Sequence, residues 1–196
     1  MAAERVLLDG DDPVTVLRAA KVHGPGSRQP REWVFAKRVL DRRPVVLLAH
    51  RGAGVDHTTA ADNAAALVQI VAGLPGNRVL NIADPDAPDV RQIARTVSRF
   101  MGHEWDEVLL DEDVDPSLGT SPWDAPYPVV LSTAAANALG YVPAGDYATT
   151  VAAELSWLLE CARGGVDAAL LPGPEDPFFA QFMDYPAEDR HRAEAG

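Results

Sequence analysis

The chain has 196 residues, enough for one ordinary domain with a sizeable buried core. Hydrophobic residues make up 47% and charged residues 23%, a globular balance, and a formal net charge of −12 excludes both a nucleic-acid phosphate binder and a protein that docks on an anionic membrane. One cysteine, Cys161, leaves no intramolecular disulfide, and no secretory signal or apolar run of spanning length is visible, so the expected location is the reducing cytoplasm.

In chain order, residues 1–8 read as the end of a helix, and Asp9-Gly10-Asp11-Asp12-Pro13 as a turn. Residues 14–22 are apolar on both faces, the pattern of a parallel strand covered by helices. Pro30 opens an amphipathic helix over residues 31–40, and Arg42-Arg43-Pro44 separates it from a short buried strand at 45–49. After the Gly52-Ala53-Gly54 turn, Asp62 is the expected N-cap of an Ala-rich helix at 63–72, closed by Gly73.

The clearest unit follows. A strand at 78–83 leads through Asp84-Pro85-Asp86-Ala87-Pro88 into a helix at 89–101. That helix carries Val90, Ile93, Ala94, Val97 and Met101 on one face and Arg91, Arg95 and Arg99 on another. A strand at 107–110 precedes a polar loop at 111–128, long enough to suggest a functional role. Its acidic run, Asp111-Glu112-Asp113 with Asp115, reads as solvated. Helices are expected at 133–139 and 147–162, with Cys161 a core residue of the second. The domain division is 1–163, then a Pro- and charge-rich tail at 164–196, partly ordered until Phe178, Phe179 and Phe182 find a surface.

Several segments resemble the NAD-dependent epimerase/dehydratase family, the extended short-chain dehydrogenases/reductases. Val14-Thr15-Val16-Leu17-Arg18-Ala19-Ala20-Lys21-Val22-His23-Gly24-Pro25 is similar to the family's V-T-x-L-R-P-x-x-V-x-G-P strand and turn. Arg78-Val79-Leu80-Asn81-Ile82-Ala83-Asp84 is similar to its x-V-Y-N-I-G-D strand, and the helix at 89–101 to the family's next helix. Thr120-Ser121-Pro122-Trp123 resembles the loop before the last elements. Leu131-Ser132-Thr133-Ala134-Ala135-Ala136-Asn137-Ala138-Leu139-Gly140-Tyr141-Val142-Pro143 resembles the closing L-D-x-S-K-A-x-x-E-L-G-W-x-P pattern. The order and spacing of these pieces carry the resemblance. It implies an α/β fold, a partial Rossmann-type remnant with a small C-terminal substrate lobe.

The departures matter as much as the matches. The family's Gly-x-x-Gly-x-x-Gly fingerprint is absent, since Gly24/Gly26, Gly52/Gly54 and Gly73/Gly76 lack the spacing and context. None of Tyr127, Tyr141, Tyr147 and Tyr185 has a Lys four residues on, so Tyr-x-x-x-Lys is absent too. Ala19, Ser132 and Ala135 replace the motif's Pro, Asp and Lys. The resemblance places Met1 just after the family's catalytic Lys, so the expectation is a C-terminal half. The catalytic pair would then come from upstream sequence or a partner chain.

What the resemblance implies is a substrate-binding half of an NAD(P)-dependent epimerase/dehydratase or reductase acting on a nucleotide-sugar-like substrate. NAD or NADP belongs to a complete version, and neither is expected to bind this chain tightly alone. Ala20, Lys21, Val22 and His23 match the turn that faces the nicotinamide in the family. For an anionic substrate the candidates are Arg28, Arg31 and Arg51, whose guanidinium forks suit phosphates, with Trp123 as a pocket wall. Against this stand plain surface roles for Arg28 and Arg31, and a core role for Trp33. His50 and His57 flank Arg51 and Asp56 without metal-site spacing. No Gly-x-Ser-x-Gly elbow is present. The alternatives are a non-catalytic binding or assembly protein derived from the family, and a non-redox lyase or cyclase. An unpaired strand edge at 14–22 further suggests a poorly soluble chain, a homodimer, or one that needs a partner.

Overall fold

The computed structural model describes residues 2–112, 114–173 and 175–195, so Met1, Asp113 of the acidic run, and Pro174 and Gly196 of the tail lie outside the described residues. Strands β1 (Thr15–Ala19), β2 (Lys21–His23), β3 (Val45–Leu48), β4 (Thr58–Ala60), β5 (Arg78–Ile82) and β6 (Asp106–Leu109) form three ladders. The pairs are β1–β5, β2–β4 and β3–β6, and all are parallel. Helix α1 (Ala2–Leu8) precedes β1, and the crossovers that parallel pairing requires contain helices α2 (Trp33–Leu40), α3 (Ala61–Val71) and α4 (Val90–Phe100), interleaved with the strands. Helices α5 (Ala134–Asn137), α6 (Tyr147–Ala162), α7 (Pro177–Ala180) and α8 (Tyr185–Ala195) follow. The fold is α/β, as the alternation of patterns predicts.

The strand expected at 14–22 divides at Ala20. The Ala20 N–H donates to Ile82 O at 2.9 Å, and the Lys21 N–H donates to His57 O at 2.9 Å. The chain therefore changes partners between β5 and β4 within one residue. Leu17 packs with Leu80 and Ile82 against Leu67 of α3, but Arg18 and Ala19 are exposed. Helices do not cover both faces of β1, and the residues that escape burial open onto the site described below.

The main core lies between β3 and three helices. Val46 and Leu48 point into it beside Trp33, Val34, Phe35 and Ala36 of α2, Val90, Ile93, Ala94 and Val97 of α4, and Val151, Leu155 and Leu158 of α6. The alternate residues Val45 and Leu47 face the other way, onto Leu110 and Leu118. This period of two explains why all four β3 residues are buried. Gly119, at φ +65°, lets its loop close on β3, because a Cβ there would lie 2.9 Å from Leu47 C.

Helix α4 starts on a reciprocal capping box. Asp89 accepts from the Gln92 N–H, and the Gln92 side chain accepts from the Asp89 N–H. Its arginine face also has a structural job, since Arg91 and Arg95 both grip Glu107 of β6 at 2.6 Å. Helix α3 begins differently from expectation. Ala60 is its N-cap, and Asp62 sits inside the first turn, where a carboxylate favours the helix dipole without capping.

The tail is folded against the body. Phe179 of α7 is 1% exposed within the main core, flanked by Phe178, Phe182 and Met183. Arg38 of α2 is buried, donating to Val34 O, Phe182 O and Glu188 of α8. Arg43 pairs with Asp189 at 2.6 Å and lies over the Tyr185 ring. The three phenylalanines thus find their surface within the chain. The Pro and charge content of the tail masked this, because its few anchors are spaced too widely to read as a periodic face.

Candidate functional site

Where β1 breaks into β2, the exposed ends of the parallel strands line a cavity of about 970 Å³. Ligand crevices in open α/β sheets form at such strand ends. Ala20, Lys21 and Val22 form one wall, and the loop at 24–31 brings Arg28 and Arg31 to another. Arg18, Asn81, Asp56, His57 and Leu131 complete much of the lining, with Asp176 before α7. Four basic side chains thus face two acidic ones in a chain whose overall charge is −12.

Partners temper two of those charges. Lys21 pairs with Asp56 at 2.9 Å across the β2–β4 ladder, and Arg18 makes a two-pronged pair with Glu4 of α1. Arg31 reaches the Val22 carbonyl at 3.4 Å, a long contact. No ion pair to Arg28 or Arg31 occurs among the described residues, so these two guanidinium groups are the best placed to take an anion.

Behind the wall sits a buried polar knot. Asp84, just after β5, is 1% exposed. Its carboxylate accepts from Thr58 Oγ1 at 2.7 Å, Ala60 N at 2.7 Å, Asn63 Nδ2 at 2.8 Å and His23 Nε2 at 3.1 Å. Burial alone would raise this acid, but the hydrogen bonds from His23 and Thr58, with the charge of His23, hold it below the ordinary aspartate range. Asn63 also accepts from the Ala144 and Gly145 N–H groups, tying α3 to the segment before α6. His57 Nε2 meets the carbonyls of Asp84 and Asp86 at 2.9 Å, and its Nδ1 accepts from the Leu131 N–H. That pattern fixes the Nε2–H tautomer and gives His57 a scaffolding task.

A second buried cluster lies under the 24–31 loop. Glu32 and Glu154 are both at most 2% exposed, with Tyr147 between α6 and the loop. Tyr147 Oη donates to Glu32 Oε1 at 3.3 Å, and the Gly24 N–H donates to Glu154 Oε2 at 2.5 Å. Burial and the neighbouring Glu32 carboxylate push Glu154 up to about 10. Burial and the same acids also raise the Tyr147 phenol well above its ordinary value.

Of the residues singled out from the sequence, Ala20, Lys21, Val22, Arg28 and Arg31 meet at one cavity, and three do not. His23 is 2% exposed, its Nε2 held by Asp84 and its ring edge-on to Tyr147 at 5.2 Å. Arg51 projects into solvent and pairs with Asp111 at 2.9 Å. Trp123 is 1% exposed and stacks on Phe35 with 6.1 Å between ring centres, inside the core and not in the lining of the cavity at the strand break. Its position in a polar loop suggested exposure, but Pro122-Trp123 turns inward there. The sequence reading also missed Arg18, Asn81 and Asp56.

The strand–turn–helix units among the described residues contain no glycine-rich turn of the spacing that a dinucleotide fingerprint requires, and Ala20, Lys21 and Val22 offer a single wall.

The fold is that of part of a Rossmann-like α/β protein. No protein-family model and no curated protein sequence matches the chain. Among solved structures it is similar to MoeE5 in complex with UDP-glucose and NAD, at TM-score 0.65 and 19% identity, covering 82% of this chain and 54% of that one. It is similar to WbmG of Bordetella bronchiseptica in complex with NAD and UDP, at TM-score 0.62, 21% identity and coverage of 81% and 47%. It also resembles the UDP-glucuronic acid 4-epimerase of Bacillus cereus, at TM-score 0.59, 18% identity and coverage of 76% and 46%. The chain spans about half the length of the solved structures it matches. No helix among the described residues is long and apolar enough to cross a membrane.

Proposed function

We propose that this chain is the substrate-binding half of an NAD(P)-dependent epimerase/dehydratase or reductase, and that the cavity at the β1–β2 break takes the diphosphate of a nucleotide sugar. The observation that carries this reading is the excess of basic side chains at the strand ends, with Arg28 and Arg31 outside any ion pair among the described residues. Likeness in fold to NAD- and UDP-sugar-bound enzymes supports it. Ala20, Lys21 and Val22 form the wall toward a dinucleotide held by another half, whether in the same polypeptide or a partner. The redox step belongs to that half, and this chain binds and orients the sugar nucleotide.

The Arg28→Ala/Arg31→Ala double variant tests this. Two lost charge-assisted contacts weaken UDP-glucose binding by about tenfold or more and flatten its salt dependence. Equal affinity in the variant and the parent chain, measured by calorimetry, sinks the assignment of these arginines.

A second reading, a binding or assembly protein without chemistry, draws on the open flank of the same region. β1 pairs only with β5 among the described residues, and Tyr127, Val129 and Val130 are exposed, Val129 in the lining of the cavity. Both readings predict self-association or partner dependence of the purified chain. Sedimentation velocity checks this, and a monodisperse, concentration-independent monomer contradicts it.

A further inference from the structure

We infer that Glu154 is a positioning residue, whose buried carboxyl latches the 24–31 loop to α6 and so fixes the aim of Arg28 and Arg31 at the cavity. The inference rests on the nucleotide-sugar reading only for what the arginines hold.

The loop has two feet on one helix face. Tyr147 and Glu154 are seven residues apart on α6, two turns along the same side. At the front of the loop Glu154 Oε2 takes the Gly24 N–H. At the rear, Glu32, the residue after Arg31, accepts from Tyr147 Oη and lies against Glu154. Between the feet, Ser27 N–H donates to Gly24 O at 3.2 Å, closing a turn. Gly24 sits at φ +148°, and a Cβ there would come within 3.1 Å of Ala61 Cβ, so the front foot has a backbone shape suited to glycine.

The burial of Glu154 is unusual for a helix acid. It is fully buried and lies on the face that carries Val151, Leu155 and Leu158 into the core, while its Oε1 finds no partner. A buried carboxyl is costly unless its neighbours use it, and the use visible here is the Gly24 N–H. The titratable and charged groups around it are Glu32 and Arg31 from the loop side and Tyr147 from its own helix, with His23 and Asp84 behind Tyr147. The pair ties a cavity wall to the core without touching the cavity itself.

The test compares Glu154→Gln, Glu154→Asp and Glu154→Leu. Glutamine keeps an acceptor oxygen at the same reach, aspartate is one methylene short, and leucine fills the volume without an acceptor. Two readouts are taken: hydrogen exchange of the Gly24 amide and calorimetric titration with UDP. The latch predicts strong Gly24 protection in the parent chain and in Glu154→Gln, with UDP affinity within about threefold between them. It predicts at least tenfold faster Gly24 exchange and at least tenfold weaker UDP binding in Glu154→Leu, and intermediate values in Glu154→Asp. Should the leucine variant fail to fold, the aspartate and glutamine variants still decide. Unchanged Gly24 exchange in Glu154→Asp and Glu154→Leu overturns the latch. If the parent chain binds no UDP, the nucleotide-sugar reading fails instead, and the exchange series alone judges the latch.

Discussion

Replacing Asp84 by asparagine is expected to cost about 3–5 kcal/mol, which abolishes cooperative unfolding if the parent chain has only ordinary stability. Four donors converge on the carboxylate: two side chains of β4 and α3, the Ala60 N–H and His23. An amide turns one acceptor oxygen into a donor that faces donors, leaving buried groups unpaired at about 1–3 kcal/mol each. The pH dependence has a definite sign. Because Asp84 is held below its ordinary pKa in the folded state, its contribution is present above the unfolded-state value near 3.8 and is lost as pH falls through the folded one. Denaturant titrations of both proteins at pH 7 and pH 2 check this, the difference between them shrinking at the lower pH, and a loss below about 1 kcal/mol at neutral pH contradicts it.

Glu154→Gln is expected to do the reverse and raise stability at high pH. A carboxyl pushed up to about 10 keeps its proton in the native state while the unfolded chain gives it up above its ordinary value of 4.5. The folded protein then binds more protons between those two values, so its stability falls as pH rises through that window. The limiting slope for one proton is about 1.4 kcal/mol per pH unit, and water penetration and sharing with Glu32 reduce it. Between pH 5 and pH 8 the parent chain should lose about 2–3 kcal/mol that Glu154→Gln keeps. Parallel stability–pH curves for the two proteins rule out this role for the buried acid.

These two groups show what the sequence made legible and what it did not. Apolar periodicity located four strand segments, covering β1 with β2, β3, β5 and β6, but not the three-residue β4 (Thr58–Ala60), too short to show a period; it also marked the α4 face, where Val90, Ile93, Ala94 and Val97 are fully buried. The helix at Tyr147–Ala162 also followed from its pattern. The partner switch at Ala20 was invisible, because both segments are apolar and only the pairing with Ile82 and His57 divides them. At the site, five of the eight singled-out residues share one cavity, since they lie on the strand end and the loop that follows it. His23, Arg51 and Trp123 fell elsewhere because a residue type says nothing of which neighbour claims it: Asp84, Asp111 and Phe35 in turn. One signal was available and unread. Glu154 stands between Val151, Leu155 and Leu158 on an apolar face, and a charged residue there announces a buried task.

Titration of the purified chain with UDP-glucose and, separately, with NADH and NADPH tests the central claim most directly. Isothermal calorimetry at low salt, where anion contacts are strongest, gives both answers on one sample. The account predicts saturable UDP-glucose binding at one site per chain, weakened by added salt, and no saturation by either dinucleotide over the same concentrations. Tight dinucleotide binding with no response to UDP-glucose contradicts it, and moves the function of the cavity from the substrate to the cofactor.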